Sequence, residues 1–157
     1  VIIKNSTITG FIKNHPSAVI PSKAHKSDSG YDLVAVKRDI YFSDKTGFIS
    51  YVSYDTGIVV SPPDNIYFLL YPRSSIRKYD MLLCNSVGVI DTSYRGNIIA
   101  CFTPTIYTKS INDLIIYNEG DRIAQLIPQI LLDITFKELN EVDITNRGGG
   151  GFGSSGT

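Results

Sequence analysis

"GFISYVSYDTGIVV", residues 47–60, is the stretch that decides what kind of fold this chain can make. Phe48, Tyr51 and Tyr54 alternate with the β-branched residues Ile49, Val52, Thr56, Ile58, Val59 and Val60. Such side chains lose rotamer freedom against a helical turn and pack well on a pleated surface, so the stretch reads as strand. The same composition recurs in "TITGFI", "YDLVAV", "NIYFLLYP", "GNIIACF", "DLIIY", "RIAQLIPQILL" and "ITFKEL", parted by turn material such as "SPPDN" and "YNEGD". Many short strands at this spacing predict an all-β domain, a sandwich, jelly roll or small barrel. One short helix is expected where "SSIRKYD" follows Arg73, with Ser74 or Ser75 as its N-cap.

Length and charge narrow the function. The chain has 157 residues, 43% of them apolar, enough for one domain with a real core. Fifteen basic residues balance fifteen acidic ones, so no broad positive field exists of the kind that non-specific nucleic-acid or membrane binding requires. Any phosphate chemistry must be local. Cys84 and Cys101 fit no metal spacing, and with only His15 and His25 beside them a zinc site is not expected; a reducing, intracellular location fits best. The longest apolar runs, such as Ile66 to Tyr71, are too short to cross a bilayer, and no signal-peptide pattern opens the chain. The start at Val1 without Met leaves room for a trimmed leader. Composition changes only at the end, in "RGGGGFGSSGT", so residues 1–145 are expected to form the β domain and 146–157 a mobile arm.

Five stretches carry polar chemistry. "SDSGYDL" sets Gly30, Tyr31 and Asp32 at a strand entrance, where an acid is usually a turn residue. "YPRSSIRKYD" places a guanidinium and two hydroxyls beside the N–H groups of a helix start, a cap or an anion site. "CNSVGVIDTSYRGNI" reads as a β-hairpin with Asn85 and Gly88 at its bend and Asp91 just before Tyr94; a hairpin mouth displays the backbone donors and acceptors that could read a pyrimidine edge. In "EGDRIAQLI", Gln125 lies among apolar neighbours, either a satisfied core amide or a ligand contact. The closing stretch interleaves Arg147 and Phe152 with glycines, a backbone able to wrap phosphate oxygens with one charge and one aromatic face.

Taken in order, "SGYDL", "PRSS", "NSVGVIDTSYRG", "GDRIAQL" and "RGGGGFGSSG" resemble the five motifs of the homotrimeric dUTPases, the deoxyuridine triphosphate nucleotidohydrolases. The resemblance spans Ser29 to the C-terminal arm. It implies a jelly-roll-like, distorted β-barrel subunit, three of which share active sites at their interfaces: Arg73 and Gln125 from one chain, the hairpin around Asp91 from a second, and the arm from the third. It implies hydrolysis of dUTP to dUMP and pyrophosphate, with Mg²⁺ bridging the phosphates, which keeps uracil out of DNA and supplies dUMP for dTMP synthesis. By the same resemblance Asp91 is the general base and the acceptor for the 3′-hydroxyl, and Asp32 holds the metal through water. Tyr94 packs under the deoxyribose and rejects a 2′-hydroxyl, while Asn85, Gly88, Val89 and Ile90 read uracil. Ser74 and Gln125 approach the α- and β-phosphates, with Arg73 beside them and Ser75 next in the motif. Arg147, Gly153, Ser154 and Ser155 clamp the γ-phosphate and Phe152 closes over the base. Arg122 is read as structural, paired with Asp121.

The chain departs from the usual pattern in places. Ser75 stands where most members have Gly, "RKYDMLLC" lacks a common glycine, and the intervals before "PRSS" and between Asn97 and Gly120 are a few residues longer. The related trimeric dCTP deaminases carry a catalytic glutamate in the third-motif strand region, where this chain has Asn97 and apolar residues. Regulatory binding proteins of the same fold are the other alternative; a chain with that role alone has little need for Asp91 and the whole arm.

Overall fold

Residues 7–150 are described by the computed structural model. Their strands are β1 (Gly10–Lys13), β2 (Tyr31–Val34), β3 (Lys37–Phe42), β4 (Ile49–Asp55), β5 (Ile58–Ser61), β6 (Ile66–Pro72), β7 (Met81–Leu83), β8 (Gly88–Ile90), β9 (Ile99–Pro104) and β10 (Arg122–Ile130). Two four-stranded sheets, ordered β2-β10-β6-β8 and β3-β4-β9-β7, face each other, and β1 pairs with β5 as a small third sheet. All ladders are antiparallel. The architecture is all-β and jelly-roll-like, as the composition requires.

Residues 47–60 form two strands rather than one, and the break is what divides the sheets. At Gly57 the backbone turns left-handed, with φ of +62°, and an added Cβ would stand 2.7 Å from the His15 Cβ, so the position needs glycine on both counts. Thr56 beside it is fully buried, its hydroxyl donating to the Ile98 carbonyl at 2.8 Å. The chain therefore leaves β4 in one sheet and enters β5 in another.

Between the sheets lie Leu33, Val52, Tyr54, Met81, Ile98, Phe102, Tyr117, Ile123 and Leu126, all essentially excluded from water. Each large apolar side chain so buried contributes roughly 1.5–3 kcal/mol. Tyr54 stands edge-on to Phe102 and Tyr117, and its hydroxyl donates to the Tyr117 carbonyl at 3.0 Å. Burial pushes that hydroxyl far above the usual tyrosine range, so it stays a neutral donor.

Several expectations are corrected. The helix after Arg73 is a 3-10 turn, Ser74–Lys78, whose N-cap is Arg73 in extended conformation with no side-chain cap; neither Ser74 nor Ser75 fills that place. The stretch "DLIIY" is no strand: a second 3-10 turn, Ile111–Asp113, capped by the Ser110 hydroxyl, leads into it. "KRDIYF", three charged residues followed by three apolar ones, lacks the period-two pattern and is a strand the composition did not single out. "ITFKEL" forms no ladder among the described residues. After the Leu131 N–H donates to the Asn65 carbonyl at 2.9 Å, the backbone leaves the sheet, and Ile134, Phe136, Leu139, Val142 and Ile144 are all exposed, Phe136 to 95%.

Candidate active site

The first half of the site is a polar cleft at one end of the β2-β10-β6 ladder. The register sets Gln125 of β10 directly opposite Asp32 of β2 on one side and Tyr71 of β6 on the other, so Arg73, just past β6, reaches the same edge. Arg73 grips the Asp32 carboxylate with both ends of its fork, Nε to Oδ1 at 2.7 Å and Nη2 to Oδ2 at 3.2 Å. Arg122 adds a third bond, Nη1 to Oδ2 at 3.0 Å. Arg122 is structural, but its partner is Asp32 and not Asp121; the Asp121 carboxylate instead accepts the Asn118 N–H at 2.7 Å within its own turn. Two guanidiniums around one acid leave an excess positive charge, suited to phosphate oxygens.

Gln125 and Gly30 complete the cleft, of about 290 Å³, together with Ser74 and Asp28. The Gln125 amide nitrogen donates to the Pro72 carbonyl at 3.1 Å, which fixes the side chain and leaves a second N–H. A Cβ at Gly30 would overlap the amide oxygen, so glycine there is what lets Gln125 lie flat against the cleft wall. Gln125 is thus held by one bond at the cleft wall rather than enclosed in the core. Ser75 accepts a long bond from Arg73 Nη1 at 3.5 Å. The five-residue 3-10 turn is too short to supply a helix dipole, so the cleft's positive character comes from its side chains.

The second half is a pocket of about 220 Å³ lined by Leu70, Asn85, Gly88, Val89, Ile90, Asp91, Tyr94 and Asn97. Its turn is not a ladder hairpin: β7 pairs with β9 and β8 with β6, so the two arms belong to opposite sheets. The left-handed residue of the turn is Ser86, at φ of 59°, rather than Gly88. Gly88 is in β8, where an added Cβ would press on Leu70 at 3.0 Å and on the Asn85 amide at 3.4 Å; its smallness keeps the pocket wall flat. The turn starts at Cys84, whose N–H donates to the Cys101 carbonyl at 2.9 Å. The two cysteines, distant in sequence, thus face each other across neighbouring strands, both with thiols pushed up by burial.

Asp91 lies exposed at the mouth of this pocket, and no described side chain or N–H bonds its carboxylate. Tyr94 folds back over Gly96, where any side chain would overlap the phenol. Arg95 braces the loop by donating from Nη1 to the carbonyls of Thr92 at 2.7 Å and Tyr94 at 2.8 Å.

The two halves share no lining residue within one chain. Arg147 is exposed, its Nε donating to the Gly150 carbonyl at 3.1 Å in a turn of its own, and it joins neither half. Phe152, Gly153, Ser154 and Ser155 lie outside the described residues. No group of three or more His, Cys, Asp or Glu among the described residues could cage a metal. The Asp32 carboxylate is largely taken up by the arginines: its Oδ2 takes two bonds, and its Oδ1 takes one and keeps a lone pair free for a water or a cation. No helix among the described residues is long and apolar enough to cross a membrane.

A family model described as dUTPase matches residues 17–156. The chain belongs to the dUTPase family. A deoxyuridine 5′-triphosphate nucleotidohydrolase of Picosynechococcus sp. is 36% identical over 149 residues, covering 93% of this chain and 96% of its own length. The corresponding protein of Nocardia farcinica is 33% identical over 142 residues, covering 90% of this chain and 81% of its own length. Among solved structures, a staphylococcal bacteriophage 80alpha dUTPase with dUpNHpp superposes with a TM-score of 0.76 over 97% of this chain and 100% of its own, at 23% identity, a likeness of fold. The dUTPase described here is accordingly an enzyme of the dUTP diphosphatase class, acting on dUTP.

Proposed function

We propose that this dUTPase converts dUTP and water to dUMP and pyrophosphate by in-line attack at the α-phosphorus, with Asp91 as general base. The observation that carries this reading is the contrast between the two acids of the site. Asp32 is tied by two guanidiniums, whereas the Asp91 carboxylate is exposed and unengaged among the described residues. An unengaged carboxylate accepts a proton from water; one held by arginines is a poor base. As the water oxygen bonds to phosphorus its proton passes to Asp91, the bridge to the β-phosphate breaks, and pyrophosphate departs.

The remaining residues bind and orient. Asn85 and the backbone of Gly88, Val89 and Ile90 pair with the uracil edge, and cytosine, with donor and acceptor exchanged, would leave buried groups unpaired. Tyr94 stands beneath the deoxyribose where a 2′-hydroxyl would project, and Asp91 accepts the 3′-hydroxyl. Ser74 and Gln125 meet the α- and β-phosphates, with Arg73 supplying charge and Ser75 supporting it. Arg147, Gly153, Ser154 and Ser155 hold the γ-phosphate, and Phe152 stacks on the base, a contact worth on the order of 1–3 kcal/mol. Asp32 would hold a magnesium ion on the substrate phosphates through water, and that ion would supply charge neutralisation for the departing pyrophosphate. A phage phi11 dUTPase of the same fold coordinates a structural Mg(II) ion, which supports magnesium as a metal of this family.

The working unit is a homotrimer in which the two halves come from different chains and residues 146–157 close over a neighbour's site. Support comes from the stretch after β10: its apolar residues Ile134, Phe136, Val142 and Ile144 cover nothing in their own chain, a pattern expected of a segment that packs on another copy. In the cell, an intracellular role follows from the substrate, removing dUTP before uracil enters DNA and providing dUMP for dTMP.

The test is incubation with dUTP, UTP, dCTP and dTTP in the presence of Mg²⁺. Pyrophosphate should appear from dUTP alone. Ammonia from dCTP would move the enzyme to the deaminases, and no turnover of dUTP would refute the reading.

A further inference from the structure

The sugar-facing tyrosine does not stand by itself. Its hydroxyl donates to the backbone carbonyl of Asn97 at 2.9 Å, so the ring's height in the pocket depends on where that carbonyl lies. The carbonyl is in turn fixed through its own side chain. Asn97 Nδ2 donates to both carboxylate oxygens of Asp55, at 3.1 and 2.9 Å, and Asn97 Oδ1 accepts from Asn14 Nδ2 at 2.8 Å. Asp55 is the last residue of β4, and its Oδ1 also accepts the Gly57 N–H at 2.7 Å, so the anchor is built into the break between the two sheets. The partners lie 42 and 83 residues apart, and the Asp55–Asn97 bonds are half-shielded from water, where charge-assisted bonds hold geometry well.

We propose that Asp55, acting through Asn97, is a positioning residue that sets the selectivity of this dUTPase for deoxyribose over ribose. This rests on the assignment of Tyr94 as the sugar-contacting residue and extends it. Tyr94 is 42% exposed and folds over Gly96, with little packing to hold its ring otherwise. A steric barrier to one hydroxyl works only if the wall cannot retreat by an ångström. The Asp55–Asn97–Tyr94 chain supplies that rigidity from the sheet, while Arg95 stiffens only the loop itself. Asp55 lines neither half of the site, so its loss should leave the chemistry on dUTP intact.

The experiment measures kcat and KM for dUTP and UTP in Asp55→Ala, Asp55→Asn, Tyr94→Phe and Tyr94→Ala, with folding checked by circular dichroism. Asp55→Ala should lower the dUTP/UTP ratio of kcat/KM by about tenfold, the order of discrimination that one poorly excluded group represents, with kcat for dUTP within about threefold. Asp55→Asn should keep the ratio within about twofold, because two amides facing each other can reorient to share one N–H···O bond. Tyr94→Phe, which removes the same bond without touching β4, should relax the ratio as Asp55→Ala does, and the double variant should relax it no further. Should Asp55→Ala fail to fold, Tyr94→Phe carries the test. An unchanged ratio in Asp55→Ala and Tyr94→Phe, with Tyr94→Ala relaxed, overturns the positioning role alone. An unchanged ratio in Tyr94→Ala overturns the sugar-contact assignment beneath it.

Discussion

The phosphate cleft and the nucleoside pocket solve opposite problems with similar residues. In the cleft the polar groups are tied: the Asp32 carboxylate by Arg73 and Arg122, and the Gln125 amide by the Pro72 carbonyl. In the pocket the scaffold is equally tied, through Arg95, Asn97 and Asp55, but the one acid is left with nothing to hold. The lesson is a division of labour. On the proposed assignment, groups that position substrate are immobilised in advance, so they lose little entropy on binding, and the group that changes protonation is kept out of the network.

That contrast can be broken at either end. Asp91→Asn removes the unengaged acid of the pocket and should lower kcat by about 10³-fold while a non-hydrolysable dUTP analogue still binds, as measured by calorimetry. Turnover near the wild-type rate would show that the base lies elsewhere. Arg73→Ala leaves Asp32, with a side chain only 16% exposed, held by Arg122 alone; it should destabilise the fold by about 2 kcal/mol in urea titration and raise KM for dUTP more than it lowers kcat. Arg122→Ala sharpens the comparison by its smallness. Its side chain is 54% exposed, so solvent screening should hold the cost to within about 1 kcal/mol, with kcat for dUTP nearly unchanged. A larger loss than from Arg73→Ala would mean that Arg122 is the principal brace.

The sequence made the class legible because β-branched and aromatic residues recur throughout, and four of its five polar stretches line the two pockets the structure shows. What it hid was connectivity between distant residues. Residues 47–60 look like one strand, and only the crowding of Gly57 against His15 divides them. "CNSVGVID" looks like a hairpin because its turn is short, yet its arms pair outward with β9 and β6. Arg122 has an acid next to it at Asp121 and bonds one 90 residues away instead. The alternation in "ITFKEL" is a strand signal without a strand partner in the same chain. For Asp55 and Asn14 no local signal exists at all, since an Asp at a strand end and an Asn in a loop are ordinary turn residues.

In the proposed trimer the two halves of the site, and the arm, meet only between copies of the chain. Two inactive variants test this together: Asp91→Asn, and a chain ending at Asn146, co-expressed with different affinity tags and purified through both. Each is expected to be nearly inactive by itself. In doubly tagged trimers, of either mixed composition, an intact Asp91 from one chain and an intact arm from another should combine in about one third of the sites, restoring dUTP hydrolysis to about that share of the wild-type rate. Doubly tagged protein that forms trimers and stays as inactive as its parents would contradict the shared site.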